Sequence, residues 1–363
     1  MAERILLDII KLMKVLTIGA ASRDIVVSSD LFKIVHDPAH LEKLGFPTGE
    51  AQCFALGGKT EVGDLVLSVG GDAANAAVTF ARQGFQASAF IKIGGDANGQ
   101  AVFNDLVQEG VRPIFKPEKE TKMDASVILL SPSGERTILV FRAISKSLAK
   151  KDLNATNFDF NAAYVAPGHI EFSLINEAIS RLKKKNCFVA MNPSGFYLKM
   201  GAEKLRPILK NLDLIISNRE EAATLTGKKY EDEKGIFKKF DELVHGLAVM
   251  TDGPKGVMVS DGKKIYRAGI YKEKRVADRT GAGDSFGSGF VAGLVGVSGI
   301  KRQVSGMKGK MFRENDIIKG IKLGSANATS NVEEVGAQTG ILTKSEFAKD
   351  ERWKKLPVKI IEI

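Results

Sequence analysis

The stretch Asp278-Arg279-Thr280-Gly281-Ala282-Gly283-Asp284 runs directly into Ser285-Phe286-Gly287-Ser288-Gly289-Phe290-Val291-Ala292-Gly293, a segment of small and apolar residues. The second part predicts a tightly packed helix over Asp284 to Val295. Glycines at 281 and 283 let successive main-chain N–H groups point into one concavity at the helix N-terminus, where partial positive charge collects. Such a concavity suits a phosphoryl group that gains charge during transfer. Asp284 stands at its lip. A carboxylate there repels phosphate, so its chemical use is to take a proton from an attacking hydroxyl. The same residues also read as an Asp N-cap on a glycine-rich turn, with no chemistry. The rest of the chain decides between the two.

Outward from this stretch, short β-rich apolar runs alternate with helix-period segments. Strands are predicted over Ala87 to Ile93, Ala163 to Ala166, Phe188 to Met191, Leu212 to Ser217 and Leu247 to Thr251. Helices are predicted over Ala73 to Arg82, Gly99 to Glu109, Phe172 to Lys185, Glu220 to Leu225 and Asn315 to Val332. This rhythm implies an α/β fold: a doubly wound, mostly parallel sheet flanked by helices. Met13 and the following KVLTIGA open its first strand, which leaves residues 1–12 as an N-terminal extension. Residues 24–69 and 121–143 lack strong helices and read as a small β-sheet lid, with a turn at Ser131-Pro132-Ser133-Gly134. The large catalytic domain then comprises 13–23, 70–120 and 144–363.

Composition narrows the field. The 363 residues are 44 % hydrophobic and 26 % charged, the balance of a globular chain rather than a disordered one. No run reaches the roughly 18 apolar residues of a membrane span, and residues 1–20 lack the pattern of a secretion signal. A net charge of +10 favours anionic ligands without separating a metabolite from nucleic acid. Lys183-Lys184-Lys185 and Lys301 to Lys310 carry no interleaved aromatics, so solvated faces are expected and a nucleic-acid partner is not. Two distant cysteines, Cys53 and Cys187, fit a cytoplasmic protein without disulfides.

Three short patterns are set aside. Gly57-Gly58-Lys59-Thr60 resembles the end of a P-loop, but Cys53 stands where the motif needs glycine, and an exposed strand is expected after it. Gly287 to Ala292 matches GxGxxA inside a helix, where packing explains the glycines. His36 and His40 have metal-like spacing, yet Pro38 opposes a helix that would align them.

The DxTGAGD stretch resembles the C-terminal signature of the ribokinase-like carbohydrate and nucleoside kinases, the phosphofructokinase-B type. Gly70-Gly71-Asp72-Ala73-Ala74-Asn75 is similar to that family's GG-x-x-x-N turn. Further resemblances are Gly19 to Asp24, Asn192-Pro193, the NxxE of Asn218 to Glu221, and the TxGxxG of Thr251 to Gly256. Together they span about residues 13 to 342 in family order.

The resemblance implies a kinase that uses ATP, Mg²⁺ and potassium. It assigns Asp284 as catalytic base and the main chain of Gly281, Ala282 and Gly283 as anion hole. Substrate hydroxyls fall to Asp24, Gly70, Gly71 and Asn75; the nucleotide falls to Asn218, Thr251, Gly253, Gly256 and Asn327. Glu221 would hold Mg²⁺ through water, and Asp278 with Thr280 a monovalent cation. The implied substrate is a sugar phosphorylated on a primary hydroxyl, with a nucleoside as the alternative and a non-catalytic sugar or nucleic-acid binder as the rival from another class. Exposed lid edges also offer a surface for a homodimer.

Departures from the family pattern blur the substrate. Ribokinases carry Lys after the glycine pair, where this chain has Asp72, and Ser22 stands where Asn is usual. Ala143-Ile144-Ser145 and Ala166-Pro167-Gly168-His169 also differ. Arg136 and Arg142 would suit a sugar phosphate, whereas Phe54 or Phe141 would suit a nucleoside base.

Overall fold

The computed structural model describes residues 13–46, 48–131, 136–298 and 312–362. Residues 1–12, the Ser131–Gly134 turn beyond Ser131 and the basic Lys301–Lys310 segment lie outside them. Among the described residues the strands, in chain order, are β1 (Lys14–Gly19), β2 (Ser22–Ser28), β3 (Lys33–His36), β4 (Glu50–Cys53), β5 (Asp64–Gly70), β6 (Gln86–Phe90), β7 (Arg112–Pro113), β8 (Ala125–Leu130), β9 (Arg136–Phe141), β10 (Ala162–Ala166), β11 (Phe188–Met191), β12 (Leu214–Asn218), β13 (Leu247–Thr251), β14 (Val257–Ser260), β15 (Lys264–Ala268) and β16 (Lys359–Glu362). The principal helices are α1 (Asp72–Arg82), α2 (Ala97–Gln108), α3 (Phe172–Lys184), α4 (Gly201–Leu209), α5 (Arg219–Thr226), α6 (Glu233–Leu243), α7 (Ala282–Ser298) and α8 (Glu314–Val332).

Strands β10 and β11 are buried at every position, because helices cover both faces of the sheet they belong to. That sheet has the order β16-β15-β14-β13-β12-β11-β10-β1-β6-β7. It is parallel from β7 to β13 and antiparallel through β14, β15 and β16. The antiparallel edge is absent from the sequence-based expectation. Helices α1, α2, α7 and α8 bury their apolar sides on one face, and α3 to α6 on the other. The chain reverses direction across the sheet at β1, between β6 and β10, which opens a crevice at the carboxyl ends of the strands.

A second sheet, β5-β2-β8-β9, rises beside that crevice. It leaves the large sheet between Gly19 and Ser22 and returns between Gly70 and Asp72. Val26, Ile128 and Leu130 form its own small core, with Val335 packed against it. Residues 33–53 do not join this sheet; β3 and β4 make a separate ribbon.

Other expectations change locally. Pro38 does not oppose a helix but starts one, the short Pro38–Leu41 turn capped by Asp37, consistent with proline's missing N–H at a first turn. His36 and His40 each face a single carboxylate, Glu50 and Asp37. Residues 59–63 are loop, not strand. Lys183 stands in the last turn of α3 and pairs with Asp213 at 2.6 Å, a structural contact. Cys53 is exposed, Cys187 is buried, and both are free thiols. Among the described residues no helix is long and apolar enough to cross a membrane.

The junction of β1, β10 and α1 sets the geometry of the crevice. A Cβ on Gly19 would run into the Ala166 carbonyl oxygen and lie 2.8 Å from Ala73 Cβ. Gly19→Ala should therefore destabilise the chain by about 1–3 kcal/mol. Urea unfolding checks this, and an unchanged midpoint would mean that the junction has slack.

Candidate active site

Helix α7 begins at Ala282, and its first helical hydrogen bond runs from Ser285 N–H to Gly281 O at 2.8 Å. Ala282, Gly283 and Asp284 therefore carry the amides that precede the helical ladder, and Ala282 N–H reaches only Arg279 O, at 3.4 Å. Gly281 has φ +73°, a left-handed conformation in which a Cβ would also press on Ala337 at 2.8 Å. A Cβ on Gly283 would meet nothing, so open space lies above this turn.

Asp284 faces the crevice. Its Oδ2 accepts a 2.9 Å hydrogen bond from Asn75 Nδ2, and Asn75 Oδ1 accepts one of 2.9 Å from Gln338 Nε2. Burial pushes its pKa well above the usual carboxylate range, and the charges of Asp72, Asp24 and Glu221 push it further; the Asn75 bond opposes them. These groups arrive from separate elements: Asp24 from β2, Asp72 and Asn75 from α1, Glu221 from α5.

Asp24 is buried, accepts from Ser22 Oγ at 2.7 Å, and is raised first by burial, against which bonds from Ser22 and Ser126 work. Gly70 is required beside it, since a Cβ there would overlap the Asp24 carboxylate. Gly71 has φ +92° and lies under the Ala20 carbonyl, 2.7 Å from where its Cβ would be.

Two recesses meet this centre. One, of about 200 Å³, is lined by Thr251, Gly253 and Gly256 on one wall, Ala282, Gly283 and Phe286 on another, and Ser325, Ala328, Thr329 and Val332 of α8. The other, of about 130 Å³, is lined by Ala20, Gly71, Asp72 and the 142–146 and 166–170 loops. Asn327 is a correction. It is not among the residues lining either recess: its Nδ2 donates to Ser285 O at 2.8 Å and its Oδ1 accepts from Leu342 N at 2.9 Å, so it fastens α8 to α7.

Asn218 and Glu221 form a reciprocal capping box on α5, each side chain accepting the other's main-chain N–H at 2.9 Å. Glu221 also feels the charge of Asp72, and its pKa is raised first by burial. Among the described residues no three His, Cys, Asp or Glu converge to hold a bare ion. Asp278 is fully buried and accepts from Thr280 N–H at 2.8 Å and Gly336 N–H at 3.1 Å. Beside it Thr280 Oγ1 and Asn331 Oδ1 are buried without a partner among the described residues. A carboxylate and orphaned oxygens fit a hard monovalent cation.

Some parts escaped sequence reasoning. Arg219 binds Asp252 at 2.9 Å and lies 4.8 Å over the Tyr230 ring, which ties α5 to the Thr251–Gly256 turn. Gln338 bridges to Asn75 across 263 positions, and no local signal announces either pairing.

A carboxylate beside open helix-terminal amides, set between two recesses, is the layout of a phosphotransferase that activates a hydroxyl. The model of the pfkB family carbohydrate kinases matches residues 47–344, and the chain belongs to that family. It is accordingly a phosphotransferase with an alcohol acceptor, a sugar or nucleoside kinase of ribokinase type. It is 27 % identical over 301 residues to a ribokinase of Haemophilus influenzae, covering 81 % of this chain and 90 % of the relative. It is 29 % identical over 241 residues to a cytidine kinase of Thermococcus kodakarensis, covering 64 % and 82 %. The structure of Arabidopsis thaliana ribokinase complexed with ribose and ATP shares the fold, with a TM-score of 0.70 and 19 % identity over 94 % of this chain and 99 % of that one.

The raised pKa of Asp284 has a stability consequence. A carboxylate whose folded pKa lies above its unfolded value costs stability when it ionises, so the cost is absent at low pH and grows as pH rises through the folded pKa. Asp284→Asn should raise the melting temperature above neutrality, with the gain vanishing as pH falls. A gain independent of pH would contradict this charge cluster.

Proposed function

We propose that the protein transfers the γ-phosphoryl group of ATP to a primary hydroxyl of a sugar, with Asp284 as the base. The observation that carries the reading is Asp284 itself, bonded to Asn75 and standing between the open amides of Ala282 to Asp284 and the recess at Asp72. In this reading Asp24, Gly70, Gly71 and Asn75 hold the acceptor's hydroxyls. Gly70 and Gly71 bring main chain close where a Cβ would collide.

The nucleotide occupies the recess walled by Thr251, Gly253 and Gly256, with α8 residues Ser325, Ala328, Thr329 and Val332 under its base. Asn218 borders its phosphates. Glu221, whose Oε2 is spent on the Asn218 N–H, offers its other oxygen to magnesium-bound water. Asp278 and Thr280 would hold potassium. Bound cations here neutralise phosphate charge and steady the turn at Gly281.

The transfer follows from these placements. The acceptor oxygen attacks phosphorus, Asp284 takes the hydroxyl proton, and the amides of Ala282 to Asp284 stabilise the charge of the moving group. The high proton affinity that burial and Asp72 give Asp284 suits a base. A nucleoside acceptor is the second reading, supported by the similarity to the cytidine kinase. Against it, Phe141 lies on the outward face of the small sheet, in register with Ala125 and Arg23, and Phe54 packs on Phe32. A cytoplasmic setting belongs to the same proposal, supported by the two free thiols.

Asp284→Ala should lower kcat by about 10²–10⁴-fold while leaving nucleotide affinity within a few-fold. Coupled-assay kinetics and calorimetry check this, and retained turnover removes Asp284 from the chemistry.

A homodimer through the lid completes the proposal. Ile25, Leu67, Val127 and Leu139 share one row on its outward face, with Leu65 and Phe141 on either side, and Leu65, Leu67, Leu139 and Phe141 are each about half exposed. Sedimentation should give a dimer that Leu67→Glu dissociates. A wild-type monomer at every concentration would exclude it.

A further inference from the structure

The acceptor recess changes sign along its length. Asp284 feels the charge of Asp72, Asp72 that of Arg142, and His169 those of Arg142, Lys146 and Lys199. Arg142, Lys146 and His169 all line the recess. Arg142, Lys146 and Lys199 are exposed, and among the described residues none forms an ion pair.

A second carboxylate in the lining, Asp124, is already engaged. Its Oδ1 accepts from Ala143 N–H at 2.7 Å and Ser145 N–H at 3.2 Å, and its Oδ2 accepts from the Ser145 hydroxyl. It folds the 143–145 turn and so fixes the chain that carries Arg142 and Lys146. His169 is held flat on Phe196, with ring centroids 5.2 Å apart. Partial burial and the neighbouring cations favour its neutral form, which leaves it a hydrogen-bonding group. Cations gathered without an ion-pair partner at one end of a recess repel one another, and an anion relieves that repulsion.

We infer, building on the kinase reading above, that the acceptor is an anionic sugar, either a sugar monophosphate or a sugar acid, whose anionic group sits among Arg142, Lys146 and His169 while a hydroxyl faces Asp284. The anionic group is a handle and is unchanged by the reaction. At the other end a bond forms from the hydroxyl oxygen to the γ-phosphorus, and the bond from that phosphorus to the bridging oxygen breaks. The hydroxyl proton goes to Asp284, and the nucleoside diphosphate leaves with the bond's electron pair.

The test is a kinetic panel on the full chain with ATP and Mg²⁺. It pairs ribose and fructose with their monophosphates and glucose with gluconate, and adds cytidine and adenosine. One anionic member should exceed its neutral partner in kcat/KM by about 10-fold or more, and the phosphate and carboxylate arms tell which anion is read. Arg142→Gln and Lys146→Gln should each raise KM for that acceptor about 10- to 100-fold with kcat and the ATP KM nearly unchanged. Both side chains are exposed, so the variants should fold, and the unchanged ATP KM verifies it. A neutral sugar or nucleoside as best acceptor, with KM indifferent to both substitutions, overturns the inference and leaves the kinase reading intact. No phosphorylation of any acceptor overturns both.

Discussion

Ionising Asp284 where Asp72, Asp24 and Glu221 already crowd it is the costly arrangement on which the site depends. Like charges in a partly buried crevice raise one another's proton affinity, and a base gains strength from that same cost. The cost is tolerable because Asp24, Glu221 and Asp284 each hold a fixed hydrogen-bond partner. Ser22 steadies Asp24, the Asn218 cap steadies Glu221, and Asn75 bonds Asp284 while leaning on Gln338. The small sheet, α1, α5 and α7 must all be in register for the cluster to exist. Stability of the fold and readiness for chemistry are therefore coupled at one point.

Close packing behind α7 makes that register possible. A Cβ on Gly289 would sit 3.1 Å from Gly324 Cα, and one on Gly293 would sit 2.9 Å from Gly320 Cα. Gly287 similarly leaves room for the Tyr164 hydroxyl from the sheet below. These glycines account for the GxGxxA pattern without a dinucleotide: they let α8 lie against α7, and Asn327 locks the pair by bonding Ser285 O and the Leu342 amide. The helix whose N-terminus is proposed to stabilise moving charge is thus held along its length by backbone-to-backbone contact, which leaves little freedom for the turn at Gly281.

Much of this was legible from local pattern. The alternation of apolar runs gave the parallel strands β10, β11 and β13 with ends within a residue, because fully buried strands advertise themselves as continuous apolar segments. The Gly-Ala-Gly-Asp turn and the Gly70-Gly71 pair were legible because positive φ and close approach admit few residue types. The antiparallel edge was not, since β15 and β16 pair across about ninety positions and carry mixed polarity. Asn327 shows the opposite failure: a polar residue on a helix facing the site reads as a ligand contact, and only the coordinates show its hydrogen bonds used inside the protein. Arg142 was legible as a cation suited to a sugar phosphate, but its grouping with Lys146 and with His169 from a second loop was not, because the two loops lie more than twenty positions apart.

The central claim is that Asp284 and the helix-terminal amides act on the same migrating phosphoryl group. A crystal structure with ADP, magnesium, aluminium fluoride and the acceptor identified by kinetics tests it most directly. The fluoride complex should sit on the amides of Ala282 to Asp284, with the acceptor oxygen within hydrogen-bond distance of the Asp284 carboxylate. A fluoride complex bound elsewhere, or a carboxylate turned from the acceptor, would contradict it.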